Sequence, residues 1–470
     1  MKRIFIIALM CVIALLAFGC EKAEVEDNRT EYDITVDFTS EKLVCEQKTT
    51  VVNCYKEGLS ELVFLLAPNA YSENAVHKAY VKKLPAYGSV TVEEVSVDGE
   101  KTSFTIDDDG YYMTVPVPSA QISERRVVDI KYEVSLPECS LRLGKSEGFY
   151  NVSGFYPQLA VFSDDEFRKD SFSYVGDPVM SDVADFNVRI TVPENMVVAC
   201  PGNVTETVAD GKKTITASEK RMRDFAFVAS EKYTVKTTEK YGVTVKYFST
   251  GDSDYGALAS DVIKVFSDNF CDYPYATYVL AETPFVADGM EFSGMSFISP
   301  DATDKEKAVV HETVHQWFYN IVGSDNVNAP YLDEGITTFM TEYFYLLNGD
   351  EGKYEEGMKA IENAYFSYEK LQKMRGEKAN LAIDGSIYQY SEYAYSMLVY
   401  YKSSLMFKNL FETAGASRFN KAVKGYVADN YFRWSDADSL VGNFNKAMNC
   451  DVKGLIDAWI DGTVTTATFS

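Results

Sequence analysis

The sequence predicts an α+β chain of two domains: a large, mostly antiparallel β domain over residues 31–235, then a mixed domain over 236–470, small sheet first and helices after it. Three observations carry this. Segments such as YDITVDF and VVDIKYEV alternate apolar and polar residues, the period of a half-buried strand. Asp98-Gly99, Asp109-Gly110 and Asp210-Gly211 stand between such runs, where hairpins need residues that accept positive φ. After Tyr233 the period changes. GVTVKYF is still strand-like, but SDYGALASDVIKVFSDNF repeats its apolar residues at helical spacing. YPYATYVLAE and MEFSGMSFI predict further strands, and from Asp304 helices dominate. KEKAVVHETVHQWFYNIVG reads as one helix stopped by Gly323, and YLDEGITTFMTEYFYLLNG as a second stopped by Gly349. Ser435, with Asp438 three residues later, predicts a capped helix start.

A chain of 470 residues is too long for one hydrophobic core, and 46% hydrophobic with 24% charged residues is the composition of a folded protein. The formal net charge is −25 and no lysine-arginine cluster stands out, which sets a nucleic-acid partner aside. Residues 1–20 read as a targeting segment: Lys2 and Arg3, an uncharged run from Ile4 to Phe18, then Gly19-Cys20. The run is short for a membrane span. Its AFGC ending resembles a bacterial lipoprotein signal, in which Cys20 is lipidated and becomes the mature N-terminus; the alternative is a plain signal peptide cleaved nearby. Either way an exported protein is expected, and with Cys20 lipidated it would be anchored at the bacterial cell envelope. Residues 21–30 read as a linker. Six scattered cysteines follow with no CxxC pair, so a cysteine zinc site is not expected. Cys45 and Cys54 could pair across a hairpin, or all six could be free thiols.

The stretch VVHETVHQWFYN, Val309 to Asn320, holds two of the chain's three histidines. His311 and His315, four apart, share one helix face and can present imidazoles to one ion. A catalytic zinc takes three protein ligands and leaves a fourth position for water. Glu334, at the start of the next predicted helix, is the candidate third ligand. Glu312 lies off the ligand axis, where a carboxylate can take a proton from a zinc-activated water. Chance occurrence of this pattern is on the order of one in a thousand. A rival zinc-peptidase class needs a glycine and a third histidine where this chain has Phe318 and Ile321, and is excluded.

These residues resemble the aminopeptidase N family of gluzincin zinc peptidases. HETVHQWF, the eighteen-residue gap and YLDEGITTF are similar to its zinc signature, and DGMEFSGMSF to its Gly-x-Met-Glu-Asn exopeptidase loop. GFYPQLAVF, RDFAFVAS, NFCDYPYATYVLAE and VYYKSSLMFKNL extend the resemblance from about residue 31 to about residue 460. It implies a thermolysin-like second domain and one zinc per chain, held by His311, His315 and Glu334, with Glu312 activating water. Glu291 would hold the free α-amino group of a peptide, beside Gly289 and Met290. Tyr400 would stabilise the oxyanion, with Tyr393, Tyr395 and Tyr401 as competitors.

The chain departs from the family pattern at Asp288, Phe292, Ser403 and Ser404. It also ends where larger members continue into a helical domain, so an open cleft is expected. The activity implied is removal of the N-terminal residue from peptides with a free N-terminus. The alternatives are an open-cleft zinc endopeptidase, or a non-catalytic surface protein that captures peptides or partners on a peptidase scaffold. Oligomeric state and the preferred N-terminal residue are not encoded in any motif.

Overall fold

The structure, a computed structural model, describes residues 28–75, 83–178, 180–375 and 381–463. The leader and Cys20 lie outside the described residues. Eight strands form the main sheet of the first domain, in the order Asn203–Ala209, Lys212–Met222, Ala184–Pro193, Thr30–Phe38, Lys42–Val52, Arg125–Ser135, Ser89–Val97 and Glu100–Lys101. All neighbours are antiparallel except Thr30–Phe38 and Ala184–Pro193, which run parallel. Alternation sets the faces: Tyr32, Ile34, Val36 and Phe38 point into the core, while Glu31, Thr35 and Asp37 point out. Two four-stranded sheets share that core.

Two of the three predicted turns are tight. Asp98 and Gly99, like Asp210 and Gly211, both have positive φ between directly paired strands. The third is a longer loop, in which Asp107 Oδ1 accepts from the Tyr111 and Tyr112 N–H groups at 2.7 and 3.1 Å. Cys45 and Cys54 do not face each other. Cys45 is buried within strand Lys42–Val52, Cys54 is exposed just beyond its end, and all six described cysteines are free.

The second domain opens with five strands in the order Thr234–Lys240, Val243–Ser249, Thr277–Glu282, Met295–Ile298 and Gly289–Phe292. Helix α1 (Gly256–Asn269) crosses between two parallel neighbours, and Gly289–Phe292 is an antiparallel edge strand. Helices α2 (Lys305–Val314) and α3 (Glu334–Leu347) follow, then α4 (Glu351–Met374), α5 (Glu392–Tyr395), α6 (Ser403–Ala414), α7 (Ala416–Asp429), α8 (Ala437–Met448) and α9 (Lys453–Ile460). α3 is buried along most of its length, which suits its apolar sequence and a central position.

Three expectations for this half need correction or refinement. The helix expected to run to Gly323 is regular only to Val314. Residues Gln316–Ile321 form a wider π-type turn, with Phe318 leaving helical geometry at φ −112, ψ 51. Gly323 does not stop a helix. It pairs with Trp434 in a two-residue strand, and a Cβ there would lie 2.4 Å from the Arg223 guanidinium carbon. Close approach, rather than backbone freedom, explains that glycine. At α8 the cap is Asp436, whose Oδ1 accepts from Ser439 N–H at 2.7 Å; Ser435 instead bonds Gly323 O and the Tyr426 hydroxyl. Gly349, by contrast, has φ +86 just past α3, as a helix stop requires.

Candidate active site

α2 begins where Asp304 accepts from Lys307 N–H at 3.0 Å, with Glu306 in its first turn. One turn before its end it presents His311, and His315 follows at its C-terminal boundary. α3 packs across α2 and presents Glu334 as its first residue. His311 Nε2 and His315 Nε2 stand 3.1 Å apart, and Glu334 Oε2 lies 3.3 Å from each. Three ligand atoms so close together could hold one metal ion between them. A tetrahedral ion with bonds of about 2.0–2.1 Å has ligand–ligand edges of about 3.3–3.4 Å, so this triangle matches one face of such a site. Imidazole and carboxylate donors fit zinc, and the fourth position faces the cleft.

Each ligand is held from behind. His315 Nδ1 lies 2.8 Å from Asp333 Oδ1 and 3.3 Å from Phe318 O. His311 Nδ1 meets the Thr341 hydroxyl at 3.3 Å, and Tyr400 donates to Glu334 Oε1 at 2.5 Å. Such contacts fix the tautomers so that both Nε2 atoms face the ion.

The electrostatics give an independent test of the fit. Burial pushes the Glu291 carboxyl up to about 8, with Glu334 and Asp333 adding to the rise against the pull of His315. Burial, and then the neighbouring Glu291, lift Glu312 well above the usual carboxylate range. Burial also opposes ionisation of Glu334, but His315 and His311 outweigh it and hold this carboxyl well below its ordinary range. Burial lowers His311, while at His315 burial is outweighed by Glu291, Asp333 and Glu334, which hold that imidazole well above its ordinary range. Glu291 Oε1 and Glu312 Oε2 are buried without a hydrogen-bond partner. A pocket so rich in buried carboxylates is short of positive charge, and a divalent cation supplies it.

The cleft has a volume of about 330 Å³ and draws walls from both domains. Glu291, Gly289 and Met290 reach it from the edge strand, and Glu312, His311, Glu334 and Tyr400 from the helices. Gly289 is required by contact: a Cβ there would meet Glu312 Oε1 at 2.5 Å. Met290 Sδ accepts from Arg142 Nε at 3.0 Å. The departures from the family loop do not face the ligands. Asp288 Oδ1 accepts from Thr303 N–H at 3.0 Å, and Phe292 is buried with its ring 4.6 Å from that of Phe297. Ser403 fits against Gly335, where a Cβ would lie 2.3 Å from the serine Cβ.

Among the candidate tyrosines, Tyr400 alone has a hydrogen bond to a ligand. Tyr393 is exposed, Tyr401 does not line the cleft, and Tyr395 lines it with its hydroxyl beside Gly176. Sequence reasoning missed Arg142 and Asp177, an ion pair on the cleft wall from the first domain, and Asp333 behind His315. Asp333 had a signal in its place beside Glu334. Arg142 and Asp177 had none, since only the fold brings them to the cleft.

A His-Glu-x-x-His helix with a distal glutamate, in a sheet-and-helix domain behind a β domain, is the arrangement that the resemblance to gluzincin zinc peptidases implies. Residues 257–459 match the peptidase family M1 domain, and curated relatives that the chain is similar to are aminopeptidases. It is similar to aminopeptidase N of Lactobacillus delbrueckii subsp. lactis, 22% identical over 401 residues, covering 79% of this chain and 46% of that protein. With the endoplasmic reticulum aminopeptidase 1 of Rattus norvegicus it shares 30% over 151 residues, 28% of this chain and 16% of that one. The chain thus spans about half the length of the first of these relatives. In fold it resembles an M1 zinc metallopeptidase variant from Deinococcus radiodurans, with a TM-score of 0.70 at 17% identity, covering 93% and 95% of the two chains.

Proposed function

We propose that the protein is a zinc-dependent aminopeptidase that hydrolyses the first peptide bond of substrates with a free N-terminus. The observation that carries this reading is one cleft holding both the His311–His315–Glu334 triangle and the unpartnered carboxylates of Glu312 and Glu291. Zinc held by the triangle would supply a Lewis acid that polarises the scissile carbonyl and acidifies the attacking water.

The chain's own residues do the rest. Glu291 pairs with the substrate α-amine, which has a pKa of about 7.7–8.0 and is largely cationic at neutral pH. A small space of about 70 Å³ beside Glu291 is bounded by Tyr71, Arg142, Asp177 and Asp224. Glu312 takes the proton of the attacking water and delivers it to the leaving amine. Burial, then the Glu334 charge, keep the Tyr400 phenol protonated, so it can donate to the developing oxyanion. The leader ending in Cys20 supports export and lipid anchoring at the cell envelope, which mass spectrometry of the mature N-terminus would test.

Glu312→Gln preserves shape and removes the base. It should bind zinc like the parent and lose turnover by at least about a hundredfold; near-parental peptidase activity would contradict the mechanism.

A further inference from the structure

The first domain sends one short segment, Arg223-Asp224, deep between the amine-binding strand and the metal helix. Asp224 Oδ1 accepts from Ser293 N–H at 2.8 Å, and Ser293 is two residues after Glu291 at the hairpin turn. Asp224 Oδ2 accepts from the Tyr319 hydroxyl at 2.6 Å, four residues after His315. One carboxylate therefore spans the element carrying Glu291 and the element carrying the metal ligands. The neighbouring backbone and guanidinium close the same joint. Arg223 N–H donates to Ser293 Oγ at 2.8 Å, and Arg223 Nε donates to the carbonyls of Tyr319 and Asn320 at 2.7 and 3.1 Å. Gln316 bridges the two elements again, accepting from Gly294 N–H and donating to Phe292 O, both at 2.9 Å.

We infer that Asp224 is a positioning residue that fixes the distance between Glu291 and the metal centre, and so decides how the peptide N-terminus is aligned for cleavage. This rests on the aminopeptidase reading. The physical need is clear: Glu291 lies on an edge strand, bonded to the sheet on one side only, while hydrolysis needs the α-amine and the scissile carbonyl held in register. Asp224 supplies the missing constraint from the other domain. Its carboxylate bonds neither Glu291 nor a metal ligand, although it borders the small space beside Glu291.

The experiment is a double-mutant cycle in the full, zinc-loaded chain, read with a free-amine aminoacyl fluorogenic peptide and with zinc affinity by chelator competition. Asp224→Ala should keep zinc affinity within about twofold and lower kcat/KM by about tenfold or more, mainly through KM. Asp224→Asn should recover most of the loss, because its amide oxygen still accepts from Ser293 N–H and its amide N–H can donate to the Tyr319 hydroxyl, keeping the bridge. In a Glu291→Ala background, Asp224→Ala should cost nothing further. Additive losses, or zinc affinity falling in parallel with activity, would overturn the inference. If Asp224→Ala does not fold, Tyr319→Phe removes the same bridge by one hydroxyl and carries the same expectations. If Glu291→Ala itself leaves free-amine hydrolysis unchanged, the aminopeptidase reading fails instead.

Discussion

Tyr400 donates its hydroxyl to Glu334 Oε1 at 2.5 Å, while Glu334 Oε2 faces both histidines at 3.3 Å. One carboxylate thus divides its oxygens between the metal position and the proposed oxyanion donor. At saturating zinc, Tyr400→Phe should reduce kcat by roughly 10²–10³, the cost of losing one oxyanion donor. Tyr395→Phe, whose hydroxyl rests beside Gly176, should cost far less. Steady-state kinetics on both variants test the assignment, and equal losses would contradict it.

Asp333 Oδ1 lies 2.8 Å from His315 Nδ1 as an ion-pair contact, whereas among the described residues His311 Nδ1 meets the Thr341 hydroxyl at 3.3 Å. Asp333→Asn should weaken zinc binding by about 10–100-fold, and Thr341→Val by less. Chelator competition gives both constants, and the reverse order would contradict the geometry.

Removing the metal should make stability strongly pH-dependent. Burial raises Glu291 from 4.5 to about 8 in the folded, metal-free site, and raises Glu312 well above 4.5 too. A carboxyl whose folded pKa lies above its unfolded value stabilises the fold fully below the unfolded pKa. That contribution is lost as pH rises through the folded one. The chelated protein should therefore lose thermal stability between about pH 4.5 and 8. Added zinc should restore it and flatten the profile. Thermal melts across that window, with and without chelator, make the comparison.

Gly335 gives α6 its room, because a Cβ there would sit 2.3 Å from Ser403 Cβ. Gly335→Ala should destabilise the protein by about 1–3 kcal/mol through overpacking, despite alanine's better helix propensity. Adding Ser403→Gly should recover part of the loss. Denaturant midpoints of the single and double variants measure the relief.

The clustering of His311, Glu312 and His315 was legible in the sequence, because local helical spacing sets their geometry. Glu334 was legible since a turn and a helix start suffice to bring it across. Gly323 was misread because a glycine after a helical run resembles a stop, while its real constraint is Arg223, a hundred residues earlier. The Ser435 cap failed by one residue: Asp436 has the stronger acceptor at the true boundary. Arg142, Asp177 and Asp224 were illegible as site residues, since they lie between strands of the first domain and only the tertiary fold brings them to the cleft or its supports.

The most direct test of the account compares a short peptide bearing a free α-amine with its N-acetylated twin, using the zinc-loaded protein. Acetylation removes the cation that Glu291 is placed to hold and adds bulk beside Glu291. The account predicts hydrolysis of the free-amine peptide at its first bond and a rate at least about a hundredfold lower for the twin. Equal rates for the two, or internal cleavage of both, would contradict it.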